Sequence, residues 1–225
     1  MREFEKAAQD YSKAIELDPK SWEAYFGRAY TNQFRGKLED SMRDVEKSLA
    51  LNPNSHDALH LRAILEFQKT EVGNTKIIAD LNKAIELNPT DASYHNTRGS
   101  IMATMDKFDA SLSDLNKAIE LGDNSAAIFS TRGYVLVKLK KYNEAIEDLN
   151  KAIANEPDES GNYTWRGVAY EALGKNDEAI ADYTKSFELL PEVKRPLEFR
   201  AKLYKKLGKK DLESKDLEKL KTFKE

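Results

Sequence analysis

Apolar and small residues return every three or four positions along most of this chain, the spacing of a helix that buries one stripe. Ala145, Leu149 and Ala152 form one such stripe, and Ala179, Tyr183 and Ser186 another. The stripes alternate with a second helical pattern, in which a small residue (Ala29, Ala63, Gly99, Gly133, Gly167 or Ala201) follows an arginine and is flanked by large side chains. Such a notch lets another helix come close to the backbone. Prolines at 19, 53, 89, 157 and 191 close the helices that carry the stripes, and Asp123 holds the corresponding place in the gap between Pro89 and Pro157. Proline lacks an N–H and restricts the residue before it, so each marks a helix boundary, with Asp or Asn nearby to cap the next helix.

The pattern has a fixed period. Arg28, Arg62, Arg98, Arg132, Arg166 and Arg200 are spaced by 34, 36, 34, 34 and 34 residues. Asp10, Asp44, Asp80, Asp114, Asp148, Asp182 and Asp216 keep the same register, including its single two-residue slip. The slip falls within residues 69–75, between the two helices of one unit, and predicts a longer turn or helix end there. Repeated helix pairs of this kind make a fold in which each unit buries its neighbour.

The unit containing Phe129, Arg132, Gly133 and Tyr134, then Tyr142, Ala145, Leu149 and Ala152, and ending at Pro157, resembles the tetratricopeptide repeat. The resemblance runs from about residue 4 to about residue 220 and implies an all-α, right-handed superhelical solenoid of antiparallel helix pairs. It divides one domain, 1–225, into a half-repeat (1–21), repeats at about 22–55, 56–91, 92–125, 126–159 and 160–193, and a C-terminal repeat or cap (194–225). Several positions depart from the family pattern. Ile77 and Glu213 stand where small residues recur, Asp123 replaces a closing proline, and an Arg–small pair replaces the family's Leu–Gly. Glu213 gives the last helix the look of a solvated cap. The chain begins in mid-repeat, with Phe4, Ala7, Tyr11 and Ala14 reading as the stripe of a second helix. We expect a piece of a longer parent; the alternative is a half-repeat covered by a partner or by self-association with a second copy.

The 225 residues are 40% hydrophobic and 33% charged, with a net charge of −3 and no cysteine. Disulfides, thiolate zinc and cysteine nucleophiles are therefore excluded. No stretch is apolar enough for membrane insertion, and the charged start lacks a signal-peptide core, so cytoplasm is the default localisation. A near-balanced charge disfavours nucleic acid, leaving an RNA-binding solenoid that uses the basic C-terminal repeat as the alternative function. His56 and His60, four residues apart, make the one metal-like spacing, but no carboxylate pattern completes it and no metal site is assigned. With no phosphate-binding glycine loop and no nucleophile elbow, neither a cofactor nor catalysis is expected.

Two residue sets remain. The Arg and Asp series (Asp10, Asp44, Asp80, Asp114, Asp148 and Asp182 with Arg28, Arg62, Arg98, Arg132, Arg166 and Arg200) read as structural ion pairs. Because each Asp precedes the next Arg by 18 residues throughout, the pairing is expected between consecutive repeats. The second set follows from the resemblance, which implies a concave surface made by the first helices. Phe26, Tyr30, His60, Ile64, Phe67, Asn96, Ser130, Tyr134, Thr164, Val168, Lys202 and Lys205 are expected to line it and to bind a peptide or protein segment. A family subclass grips acidic chaperone tails with a Lys/Asn clamp, but Glu23, Gly27 and Asp57 stand at the early positions here. The expected function is a non-enzymatic interaction scaffold.

Overall fold

The computed structural model describes residues 2–223, and the elements among them are helices. Helix α1 (Arg2–Leu17) precedes six pairs: α2 (Trp22–Phe34) with α3 (Leu38–Leu51), α4 (His56–Thr70) with α5 (Thr75–Leu87), and α6 (Ala92–Thr104) with α7 (Phe108–Glu120). The others are α8 (Ala126–Lys138) with α9 (Tyr142–Asn155), α10 (Ser160–Ala172) with α11 (Asn176–Leu189), and α12 (Arg195–Lys206) with α13 (Lys210–Lys221). Two compact units emerge. The first is residues up to Lys107 together with Asn116–Gly122; the second is Phe108–Leu115 and everything from Asp123. None of the described helices is long and apolar enough to cross a membrane.

Local chemistry sets the helix ends. Ser21, Ser55 and Asp91 sit just before α2, α4 and α6, and their side-chain oxygens accept from the backbone N–H of Ala24, Ala58 and Ser93. Between the helices of a pair the chain must turn through a left-handed residue. Gly36, Gly174 and Gly208 provide it at φ 71–74°, whereas Asp106 and Lys140 adopt φ 55° and 61° with a full side chain. The two-residue slip lengthens α4 to 15 residues against 13 for α2, and Glu71 takes the left-handed position after it. Gly73 in that insertion lies so close to α6 that a Cβ would come within 2.6 Å of Met105.

The notch residues do what their size suggests. A Cβ on Gly133 would lie 2.6 Å from Leu149, and one on Gly167 would lie 2.7 Å from the Tyr183 ring. Helices α9 and α11 thus pack directly against the backbone of their own first helices, α8 and α10. Ser41, Val45 and Ser48 on α3, and Ile77, Leu81 and Ala84 on α5, make the matching buried stripes. Ile77 fits where a small residue recurs elsewhere, packing with Ala63, Leu81 and Ile101. Helix α13 buries only Asp216 and exposes Leu212 and Leu217.

The ion pairs form, but in a different register from the expected one. Arg28 donates Nε and Nη2 to the carboxylate of Asp44, both at 2.7 Å, and Arg62 does the same to Asp80 at 2.7 Å. Arg132–Asp148, Arg166–Asp182 and Arg200–Asp216 repeat this fork. Each pair therefore lies within one repeat, and Asp10, which the 18-residue spacing assigns to Arg28, is exposed. The reason is angular. Asp44 lies between Ser41 and Ser48, on the stripe that faces its own first helix, whereas a position two residues on is turned about 200° around the helix toward the next repeat. There the same guanidinium finds a neutral partner: Nη1 of Arg28 donates to Ser12, and those of Arg98, Arg166 and Arg200 to Asn82, Asn150 and Thr184. Hydrogen bonding to the carboxylates holds Arg28, Arg62, Arg166 and Arg200 above the usual arginine pKa.

Candidate functional site

In the first unit the groove residues of α2 form a ladder of rings. Phe26 and Tyr30 are 6.3 Å apart between centroids, Tyr30 meets Phe34 edge-on at 5.0 Å, and Phe34 stacks on Phe4 of α1 at 5.2 Å. Phe26 is anchored in the core formed by Ala29, Leu59 and Tyr94, but Tyr30 and Phe34 remain 49% and 51% exposed. Phe34 was not among the expected site residues, although it continues the i, i+4 stripe of Phe26 and Tyr30. Tyr11 on α1 lies over Gly27, so α2 partly covers the stripe of the half-repeat. Phe67 belongs to a separate cluster with Ala63 and Ile101, and the structure does not bring it into the ladder.

On α4 the two histidines turn to α6 as hydrogen-bonding groups. Nδ1 of His56 is 2.7 Å from the Tyr94 hydroxyl, which donates to Asp57, and Nε2 of His60 is 2.8 Å from Thr97 Oγ1. Burial lowers the His60 pKa to about 4 against the opposing pull of Asp91 and Asp57, so it is a neutral packing residue against the Tyr94 ring. Burial and the bond to Asp57 push the Tyr94 hydroxyl well above its ordinary value. Among the described residues no group of three or more His, Asp or Glu is placed to hold a metal. Ile64 is half-buried, and Asn96 accepts from Ser100 at 3.3 Å.

In the second unit Val168 and Lys202 line a cleft of about 340 Å³ with Glu171, Tyr183, Phe199 and Lys206. Lys202 also borders a cleft of about 410 Å³, where Lys205 lies with Leu217 and Leu220. Ser130 donates to Asn162 at 2.6 Å, and Tyr134 packs on Trp165 at 4.7 Å. Thr164 does not line a groove. It is 5% exposed, and its hydroxyl lies 2.6 Å from that of Ser186. Thr164 stands three residues before the Gly167 notch, about 60° from it around the helix, close enough to the packing face for its hydroxyl to reach Ser186 on α11.

A larger cleft of about 670 Å³ lies among α1, α2 and α3, with the Arg28–Asp44 pair in its lining. Its charges are matched internally, Arg35 to Glu5 and Arg43 to Asp40. Reading the first helices alone could not have found it, since two of its three walls, α1 and α3, are second helices.

Profiles described as "TPR repeat" and "Tetratricopeptide repeat" match residues 133–174, 11–43 and 161–192. Among solved structures, YrrB, a TPR protein with an unusual peptide-binding site, is 18% identical with a TM-score of 0.71, the alignment covering 86% of this chain and 99% of that one. A MamA structure is 24% identical with a TM-score of 0.63, covering 77% and 94% of the two chains. PilF of Pseudomonas aeruginosa is 18% identical with a TM-score of 0.70, covering 87% and 88%. At these identities the likeness is one of fold. A comparison with curated proteins gives no match.

Proposed function

The chain belongs to the tetratricopeptide-repeat family, and on that premise we propose that it is a non-catalytic interaction module that captures an apolar segment of a partner protein on the α2 ring ladder. Proteins of this family generally mediate protein–protein interaction. The observation that carries the reading is the exposure of Tyr30 and Phe34, 49% and 51%, in a ladder whose inner ring, Phe26, is fixed in the core. Aromatic side chains already held in place lose little freedom on binding and dominate interface energies when desolvated. The fold shared with YrrB, whose name records a peptide-binding site, supports the same function.

Panning a random peptide library against the intact chain tests it. Enriched peptides should carry apolar or aromatic side chains and should bind a Tyr30→Ser/Phe34→Ser variant about tenfold or more weakly at an unchanged melting temperature. If no peptide is enriched, or the enriched ones bind the variant equally well, the α2 ladder is not a binding surface.

A further inference from the structure

A second surface, in the second unit, holds cations in an arrangement that the helix-pair packing does not require. The ammonium of Lys138 lies 5.8 Å from the Phe108 ring, 5.6 Å from Tyr134 and 5.7 Å from Trp165. The three rings surround it, Phe108 to Tyr134 at 79° and Tyr134 to Trp165 at 59°. From α12 the guanidinium of Arg195 also reaches Trp165, at 6.0 Å. Arg28, Arg166 and Lys151 reach ring faces too, but each is tied to an acid, Asp44, Asp182 and Asp148, while Lys175 over Tyr170 and Lys194 over Phe223 each meet a single ring. Among the described residues, neither Lys138 nor Arg195 has a carboxylate within ion-pair distance or a side-chain hydrogen bond.

We infer that this surface binds an acidic segment of a partner protein, its carboxylates meeting Lys138 and Arg195 beside Trp165. The inference rests on the interaction-module reading but concerns a different surface from the α2 ladder. The rings fix the two cations in position without neutralising them, so their remaining N–H donors are preorganised for an anion. The neighbouring cleft extends the site. Lys202 and Lys206 add positive charge there, Val168 and Phe199 add apolar floor, and the acid in its lining, Glu171, already accepts from the Tyr183 hydroxyl at 2.9 Å. Glu198, on α12, lies with Lys205 in the adjoining cleft. Charge complementarity therefore selects an acidic peptide that carries an apolar residue. Single-stranded RNA needs open ring faces on which to stack bases, and those of Trp165 are occupied by two cations.

The sequence has two tryptophans, so a Trp22→Phe chain reports from Trp165 alone. The probe is the capped synthetic peptide Glu-Glu-Phe-Glu-Glu, titrated beside its Gln and Lys counterparts and an oligouridylate. The Glu peptide should change the Trp165 emission saturably, with affinity falling as salt rises, and should bind Lys138→Gln and Arg195→Gln chains about fivefold or more weakly at unchanged melting temperatures. Any of four results overturns the inference: no saturable change, equal binding of the Gln peptide, equal or tighter binding of the Lys peptide or RNA, or indifference to both substitutions. Because the α2 ladder is tested by library peptides and by Tyr30 and Phe34, failure here leaves that result separately readable.

Discussion

Arg166 and Asp182 are joined by two parallel hydrogen bonds, 2.8 Å from Nε and 2.7 Å from Nη2, while the third arginine donor reaches back to Asn150 at 2.7 Å. Side-chain exposures of 18% and 7% place the pair where a lost partner is felt. Arg166→Ala should cost about 3 kcal/mol in urea unfolding, since it strands a mostly buried carboxylate. A double-mutant cycle with Asp182→Ala should show coupling of about 1–3 kcal/mol, whereas the cycle with Asp148→Ala, 18 residues upstream, should be additive within about 0.5 kcal/mol. Coupling to Asp148 in place of Asp182 would contradict the observed pairing.

The turns make a second expectation. Lys140 occupies at φ 61° the place that Gly174 fills at φ 74°. Lys140→Gly should stabilise the chain by about 0.5–1 kcal/mol, the relief of left-handed strain exceeding glycine's extra freedom when unfolded, and Gly174→Lys should lose a comparable amount. Denaturant midpoints of the two variants moving in the same direction would refute this.

Gly167→Ala sets two effects against each other. Helix propensity favours alanine by about 1 kcal/mol, but the new Cβ would stand 2.7 Å from the ring of Tyr183, itself only 1% exposed. Overpacking of a closed core typically costs about 1–3 kcal/mol, so the net change should be destabilising. Calorimetry decides the sign, and a raised melting temperature would mean that α11 yields easily.

His60 makes stability depend on pH. Its folded pKa, about 4, lies below the ordinary 6.5, so the unfolded chain takes up the proton first as pH falls. The contribution is complete above pH 6.5 and is lost progressively down to about pH 4, amounting to about 3 kcal/mol. Carboxylates titrate near the lower end of this window, so the measurement is the difference between wild type and His60→Gln across it. A flat difference would mean that His60 is solvated.

What could be read from the sequence follows how the repeat encodes it. The notch residues and the Arg and Asp series are imposed by packing that recurs in every unit, so period alone located them, and Ala29, Gly133 and Asp148 stand where it placed them. The partner of each arginine was misread because a constant 18-residue interval is a property of any two marks on either side of an uninterrupted junction. The two-residue insertion lies between Arg62 and Asp80, so it alters the interval of the true pair and leaves the false one intact. Thr164 failed for a different reason: its position at the edge of the packing face is set by the helix, but whether a side chain there is buried depends on the partner it meets, Ser186 for Thr164 and Asn162 for Ser130. Phe34 was legible as the next step after Tyr30. The convergence of Lys138 and Arg195 on Trp165 was not, because it joins residues from different repeats at positions that do not recur.

The arginine's third donor has a consequence for how such an array grows. Within the units, a helix pair offers an outgoing N–H toward the pair before it and a polar side chain two residues past its aspartate for the pair that follows: Asn82 serves so in the first unit and Asn150 and Thr184 in the second, while Glu46 supplies a carboxylate near Arg62. A duplicated pair therefore arrives with both halves of its joint, plug and socket, already in place. Gene segments one period long can be added, deleted or reordered without redesigning the seams, while the residues outside those seams are free to diverge.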